Sequence, residues 1–237
     1  MRAIWHDIEC GGYVDDLEVW RELARQQGGP ILDVGAGTGR VTLDLARSGY
    51  AVTALDICDE LLSSLRDRAR GLDVTTVAAD ARSFALDQRF RLCIVPMQTI
   101  QLLGGAAGRG EFLECVGRHL TDDGRLAIAI ADELEPFETS STILGPLPDV
   151  QEIDGIVYSS RPTAVRVSGE RFVLERRRET VTIDGRLEVE DDVIDLDRVG
   201  ADMLTAEGAA HGLRADGRIE IPPTDEYVGS TVVVFRA

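Results

Sequence analysis

The chain contains 237 residues, of which 42 are acidic and 25 are basic, so its formal net charge at pH 7 is −17. All the basic residues are arginine, which excludes a Schiff-base lysine, a pyridoxal-phosphate anchor and a Walker A loop, because each needs a lysine amine. A nucleic-acid partner is also unexpected, since affinity for a duplex comes largely from basic side chains that neutralise phosphates.

The cysteines and histidines are few and scattered, so we expect no metal site and reduced thiols in a cytoplasmic protein. No Cys-x-x-Cys pair occurs among the four cysteines, and there are only three histidines. The N-terminal residues lack the apolar run of a signal peptide. No apolar run approaches the roughly 20 residues that a membrane helix needs, and we expect no membrane partner.

The first part of the chain alternates between helical and extended patterns. A helical pattern over 14–27 stops at Gly28-Gly29-Pro30. Apolar runs then predict five strands, at 31–34, 51–55, 74–78, 92–95 and 126–131. Amphipathic segments predict helices between them, at 39–48, 59–70 and 110–120. Apolar strands without alternation, separated by helices, indicate an α/β fold with a parallel sheet covered on both faces.

After residue 132 the pattern changes. Residues 133–150 contain three prolines and predict a long connection. Extended stretches follow at 155–160, 163–167, 171–183 and 186–197, and the Asp184-Gly185 pair is a hairpin signal. They predict an inserted antiparallel meander of three or four strands. A helix at 201–211 and two strands at 217–221 and 231–235 then complete the first sheet.

A glycine-rich loop follows the first predicted strand, with the sequence Asp33-Val34-Gly35-Ala36-Gly37-Thr38-Gly39. A dinucleotide fingerprint would have its last glycine at position 40, where this chain has Arg40. Glycines at these positions let the backbone approach a ligand closely. Asp33 would repel a pyrophosphate, so it suits a ligand with a cationic amino-acid end.

Two further carboxylates end the next two strands. Asp56, followed by Ile57, lies about twenty residues past the loop, where a carboxylate can bind both hydroxyls of a ribose. Asp80, followed by Ala81 and Arg82, can read the amine of adenine, and a backbone N–H after it can read a ring nitrogen. The ligand that carries an amino group, a ribose, an adenine and a positive charge without phosphate is S-adenosylmethionine.

In order and spacing these motifs resemble those of the class I S-adenosylmethionine-dependent methyltransferases over the first 132 residues. The resemblance implies a Rossmann-like seven-stranded sheet with a reversed final hairpin. It also implies a cofactor-binding core at 1–132 and 199–237, and an inserted β lid for the acceptor at 133–198, as in glycine and sugar N-methyltransferases. With the strand-end argument, it predicts these cofactor-binding residues: Tyr13, Asp33, Gly35, Ala36, Gly37, Asp56, Ile57, Asp80, Ala81, Arg82, Pro96 and Met97.

The predicted activity is transfer of the methyl group of S-adenosylmethionine to an N, O or C nucleophile of a small molecule. Two residues are catalytic candidates. His6, in the same N-terminal segment as Tyr13, is the histidine best suited to act as a titratable base, and Tyr13 matches a place where related enzymes bring an aromatic hydroxyl over the cofactor. The candidates for substrate contact are Gln98, Asp132, Glu133 and Tyr227.

Two further features of the sequence argue against a nucleic-acid acceptor and against a site formed by a charge run. The chain lacks the Asn/Asp-Pro-Pro-Tyr/Phe motif of nucleic-acid amino-methyltransferases. Arg176-Arg177-Arg178 is a charge run of the kind that usually faces solvent, although strand alternation puts Arg177 opposite the other two.

Other functions stay open, because a fold does not by itself define a reaction. The same cofactor could serve a cyclisation or another group transfer. A non-catalytic S-adenosylmethionine-binding protein is a further alternative, and a nicotinamide-dependent oxidoreductase is the weakest. The sequence does not indicate an oligomeric state.

Overall fold

The computed structural model describes residues 1–131, 134–140, 145–224 and 227–237. The helices in these ranges are α1 (Arg2–Cys10), α2 (Leu17–Gln27), α3 (Arg40–Arg47), α4 (Asp59–Arg68), α5 (Gly105–His119) and α6 (Ala201–Ala210), with a 3-10 turn at Thr99–Leu102. The strands are β1 (Ile31–Val34), β2 (Val52–Asp56), β3 (Val74–Ala78), β4 (Phe90–Val95), β5 (Leu120–Ile130), β6 (Phe137–Glu138), β7 (Asp149–Ile153), β8 (Ile156–Ser168), β9 (Arg171–Val181), β10 (Leu187–Asp197), β11 (Arg214–Ile221) and β12 (Ser230–Arg236).

Seven strands form the large sheet, in the order β11-β12-β5-β4-β1-β2-β3. The first five strands along the chain pair in parallel, and β12 runs antiparallel to both β5 and β11. The predicted fold class, a Rossmann-like sheet with a reversed final hairpin and an additional antiparallel sheet, is confirmed. The carboxyl ends of β1 to β4 meet along one edge of the large sheet, which therefore gathers the loops that follow them.

Helices cover both faces of the large sheet, which explains why its strands lack alternation. All four residues of β1 are buried. Its Ile31 belongs to one apolar cluster with Trp20 of α2, and its Leu32 belongs to the opposite cluster with Phe112 of α5. Burial on both faces favours continuous apolar runs in the sequence.

The second sheet is antiparallel and has five strands, in the order β10-β9-β8-β6 with β7 also paired to β8. The sequence predicts three or four strands, and two of its predicted strands, 155–160 and 163–167, are one long strand here. A register shift between Pro162 and Ala164 marks their boundary. Proline has no N–H to donate, so it interrupts the ladder without ending the strand. The short strands β6 and β7 account for the rest of the difference.

Helix α1 is absent from the sequence prediction. Its Trp5 and Ile8 are buried, and they pack with Tyr158 of β8. The rings of Trp5 and Tyr158 meet edge to face, with centroids 5.5 Å apart. The apolar spacing of Ile4, Trp5 and Ile8 is compatible with one face of a helix, so a signal was present. The helix bridges the edge of the large sheet and the second sheet.

In the part of the chain that the structure describes, no helix is both long and apolar enough to span a membrane.

Candidate functional site

A cavity of about 850 Å³ lies between the carboxyl edge of the large sheet, helix α1 and strands β9 and β10. Most of the predicted site residues line it: His6, Asp33, Gly35, Ala36, Asp56, Ile57, Asp80, Ala81, Arg82, Pro96, Met97 and Gln98. Tyr13, Gly37 and Tyr227 are not part of its lining. The predicted substrate residues Asp132 and Glu133 lie outside the described residues.

The glycine loop after β1 is shaped by its glycines. Gly35 has a φ of 72°, and a Cβ added there would lie 2.4 Å from the side chain of Thr99. The N–H groups of Gly35 and Ala36 both donate to the carbonyl oxygen of Leu55, which ties the loop to the end of β2. A side chain at position 35 is therefore excluded by space and by backbone conformation.

Asp33, at the start of this loop, is a buried carboxylate with one unsatisfied oxygen. Its Oδ2 accepts a hydrogen bond from the Thr42 hydroxyl at 2.6 Å. Its Oδ1 is buried and accepts no hydrogen bond within the described ranges. Burial raises the pKa of Asp33 to about 6. A buried acceptor without a donor is costly, so a ligand that brings an N–H donor into this part of the cavity would stabilise it.

Asp56, at the end of β2, is oriented by two backbone donors. The N–H of Gly37 donates to its Oδ2 and the N–H of Cys58 donates to its Oδ1, each at 2.8 Å. Each carboxylate oxygen can accept a further hydrogen bond. The carboxylate is thus held in place for a ligand with two neighbouring hydroxyl groups.

Asp80, beyond β3, is held by Arg82. The Arg82 side chain donates to both carboxylate oxygens, and its backbone N–H donates to Oδ1 at 2.9 Å. The hydrogen bonds from Arg82 hold the pKa of Asp80 below its usual range. Asp80 is therefore ionised at neutral pH and remains an acceptor for a ligand amine.

The segment after β4 carries backbone strain. Met97 has a φ of 55°, in the left-handed region that a residue with a side chain rarely adopts. Non-glycine residues in this conformation are concentrated at functional sites. The cavity is lined here by Pro96, Met97 and Gln98. The carbonyl oxygen of Gln98 accepts a hydrogen bond from the backbone N–H of Gln101 at 2.9 Å, which fixes the start of the following turn.

Gln101 was missed by the sequence reasoning, although it joins the two sheets below the cavity. Its side-chain oxygen accepts the N–H of Ala131 at 2.8 Å, and its side-chain nitrogen donates to the carbonyl oxygens of Ala131 and Asp197. Ala131 follows β5 and Asp197 ends β10, so one buried amide connects the large sheet to the second sheet. No local pattern marks a glutamine for this role.

His6 lies on the glycine loop. Its Nδ1 is 3.1 Å from the hydroxyl oxygen of Thr38, and a Cβ added to Gly37 would be 2.3 Å from its Nε2. The ring of His6 thus covers Gly37. Burial lowers the pKa of His6 from 6.5, so the imidazole is neutral at pH 7.

The structure places Tyr13 and Tyr227 against each other, next to the cavity lining but not part of it. Their ring centroids are 5.0 Å apart, and the guanidinium of Arg40 lies 5.2 Å from the Tyr13 ring. Arg40 is anchored there by the buried Asp16, to which both of its terminal nitrogens donate. The predicted roles of Tyr13 and Tyr227 stay predictions.

A charged cluster between α1 and the second sheet was also missed. Glu9 accepts two hydrogen bonds from Arg178, at 2.7 and 2.8 Å, and one from Ser160 at 2.7 Å. Arg178 also pairs with Asp192 at 3.0 Å. Glu9, Arg178 and Asp192 line the cavity, whereas Arg177 is exposed on the opposite face, as strand alternation predicts.

Comparisons with known proteins agree with this architecture. Residues 31–124 match a family described as Methyltransferase domain. The sugar N-methyltransferase KedS8 from Streptoalloteichus sp ATCC 53650 has a TM-score of 0.73 at 21% identity, over 100% of this chain and 93% of that one. The S-adenosylmethionine-bound amino pentose methyltransferase CalS10 from Micromonospora echinaspora has a TM-score of 0.70 at 20% identity, over 96% and 93%.

Among curated sequences, the cypemycin N-terminal methyltransferase of a Streptomyces species is 29% identical over 108 residues, which are 46% of this chain and 44% of that protein. A demethylmenaquinone methyltransferase from Tropheryma whipplei is 43% identical over 56 residues, or 22% of this chain and 23% of that protein. The chain spans about half or less of the length of the curated relatives it matches.

Proposed function

We propose that this chain, a class I S-adenosylmethionine-dependent methyltransferase, transfers the methyl group of its cofactor to the nitrogen of a small-molecule amine. The observation that carries the proposal is a continuous cavity, which runs from the strand-end carboxylates to a mostly acidic face of the second sheet. Its volume of about 850 Å³ lies within the range of small-molecule sites.

The residues at the carboxyl edge of the large sheet fit the cofactor. The unsatisfied Oδ1 of Asp33 suits its amino group, Asp56 suits the ribose hydroxyls, and Asp80 suits the adenine amine. When bound, S-adenosylmethionine supplies an electrophilic methyl group on a sulfonium sulfur. The protein's task is then to align an acceptor with that group and to exclude water.

The other half of the cavity favours a cationic acceptor. Glu190 and Asp192 of β10 line it together with Arg178 of β9, which pairs with Asp192 at 3.0 Å, so its carboxylates outnumber its one guanidinium. Apolar side chains from the same strands, among them Leu174 and Ile194, complete the wall. Carboxylates near a binding site raise the local concentration of cations. An amine is cationic at neutral pH, whereas a hydroxyl or a carbon nucleophile is not.

Three of the similar proteins support nitrogen as the acceptor atom. KedS8 is a sugar N-methyltransferase, CalS10 acts on an amino pentose, and the cypemycin enzyme acts on an N-terminus. An ammonium group must lose a proton before its nitrogen can attack, so this reaction needs a proton acceptor. His6, neutral and on the same cavity, is the residue that we assign to this role.

The test is a methyl-transfer assay with deuterated-methyl S-adenosylmethionine and matched acceptors, followed by mass spectrometry. Each amino sugar or small amine is paired with the analogue that has a hydroxyl in place of the amine. We expect labelled products from amines only. Transfer to the hydroxyl analogues alone would contradict nitrogen as the acceptor. Binding of the cofactor without turnover of any acceptor would favour a non-catalytic binding protein, and consumption of the cofactor without a methylated product would favour another reaction.

A further inference from the structure

The ring of His6 takes part in a chain of hydrogen bonds that ends on helix α4. Arg68 of α4 donates to Asp7 through two nitrogens, one of them 2.9 Å from Oδ1. The Thr38 hydroxyl donates to the same Oδ1 at 2.6 Å. The oxygen of that hydroxyl is 3.1 Å from Nδ1 of His6.

The directions of these bonds define the tautomer of His6. A hydroxyl has one proton, and the short contact to Asp7 uses it. In its contact with His6 the Thr38 oxygen is therefore an acceptor, and Nδ1 must carry the ring proton. A neutral imidazole has one N–H, so Nε2, the ring nitrogen beside Gly37, keeps its lone pair as an acceptor.

The surroundings keep both Asp7 and His6 in the required charge states. Burial alone would raise the pKa of Asp7, but the hydrogen bonds from Arg68 and Thr38 outweigh it and hold that pKa below its usual value. Burial lowers the pKa of His6. The charged groups around the imidazole are Asp7 and Glu9 of α1, Asp56 at the end of β2 and Arg40 of α3, and the carboxylates oppose this lowering.

We infer that Thr38 and Asp7 are positioning residues, which hold His6 in the Nδ1–H tautomer so that its Nε2 accepts the proton of the acceptor amine. The inference rests on the proposed function. The proton moves from the ammonium nitrogen to Nε2, and the freed lone pair on that nitrogen forms the new N–CH₃ bond. The S–CH₃ bond breaks, and its electron pair stays on sulfur, which becomes a neutral thioether. Thr38 itself does not line the cavity, so its role is exerted through His6.

The tautomer is tested first, by nitrogen NMR of the protein with ¹⁵N-labelled histidine and without cofactor or acceptor. The His6→Gln variant assigns the signal among the three histidines. In the wild type we expect protonated Nδ1 and unprotonated Nε2. In Asp7→Ala the Thr38 hydroxyl is free to donate to Nδ1, so the proton should move to Nε2. Asp67→Ala, which removes an exposed carboxylate paired with Arg70, should leave the tautomer unchanged.

The second readout is the pH dependence of kcat for the active amine. Wild-type kcat should fall as the pH drops through the pKa of His6, and His6→Gln should abolish that step. Thr38→Val should lower kcat by about tenfold with KM for the cofactor changed by roughly twofold at most, and Thr38→Ser should restore kcat.

An Nε2–H tautomer in the wild type, or a Thr38→Val enzyme with an unchanged tautomer and pH profile, would overturn the inference. The NMR result is independent of any methyl transfer. A failure of the proposed function would therefore show only in the assay with acceptors, and a failure of this inference would show in the tautomer.

Discussion

The two sheets of this protein are built from different interactions. The strands β1 and β2 of the large sheet are buried at every residue and lie between apolar clusters. The second sheet is largely exposed along β10, and three consecutive arginines of β9 stand directly opposite acidic residues: Arg176 opposite Asp192, Arg177 opposite Asp191 and Arg178 opposite Glu190. Cross-strand pairs of opposite charge stabilise an antiparallel ladder.

The two sides of the cavity differ in the same way as the two sheets that form them. The proposed cofactor half is made by short loops that follow consecutive parallel strands, and its three carboxylates contact groups at most 19 residues away in the chain. The proposed acceptor half depends on contacts between distant residues: Glu9 is 151 residues from Ser160 and 169 residues from Arg178. We infer that the large sheet carries most of the stability, whereas ion pairs between α1 and the second sheet shape the acceptor side.

The largest effect should come from the apolar core of the large sheet. Phe112 of α5 is fully buried there, so Phe112→Ala should lower the free energy of unfolding by about 3–5 kcal/mol. Phe137 on the short strand β6 is half-buried, and Phe137→Ala should cost clearly less. Urea denaturation measures both. Equal losses would contradict the assignment of most of the stability to the large sheet.

The neighbouring arginines of β9 give a matched test of the second sheet. Arg178 is mostly buried and hydrogen-bonded to the buried Glu9, so Arg178→Gln should reduce the free energy of unfolding by about 1.5–3 kcal/mol. Arg177 forms an exposed pair with Asp191, and Arg177→Gln should cost at most about 1 kcal/mol. If Arg177→Gln were as destabilising as Arg178→Gln, burial would not be what distinguishes these pairs.

The site residues that could be predicted from the sequence lie on the large-sheet side of the cavity. Asp33, Asp56 and Asp80 were identified from the sequence because the carboxyl ends of parallel strands meet at one edge. His6 was identified as the candidate base. The role of Thr38 as its partner was not identified, because His6 on helix α1 and Thr38 in the glycine loop are too far apart in the chain to leave a local pattern.

The charged cluster around Glu9 could not be predicted either, since its members come from elements far apart in the chain. Tyr13 was predicted at the site by resemblance alone, and in this structure its ring packs against Arg40, a residue of the cavity lining. Local rules therefore brought the three strand-end carboxylates to one cavity, whereas the other side of that cavity depends on tertiary packing.

The smallest effect concerns the pH dependence of cofactor binding. The pKa of Asp33 is raised to about 6 by burial, and a cationic amino group binds the ionised carboxylate better. Affinity for S-adenosylmethionine should be full above that pKa and fall as the pH drops through it, approaching tenfold per pH unit. Calorimetric titrations from about pH 7.5 to about pH 5 measure this. Asp33→Asn should bind more weakly with a flat profile; a wild-type affinity independent of pH would contradict the role of Asp33.

A crystal structure with S-adenosylhomocysteine would test the proposed roles of the three carboxylates most directly, because this product keeps every group that they are expected to recognise. We expect the ribose hydroxyls on Asp56, the adenine amine on Asp80, the amino group on Oδ1 of Asp33, and the sulfur facing the part of the cavity under β9 and β10. A ligand bound elsewhere, or one whose sulfur faces away from the second sheet, would contradict this expectation.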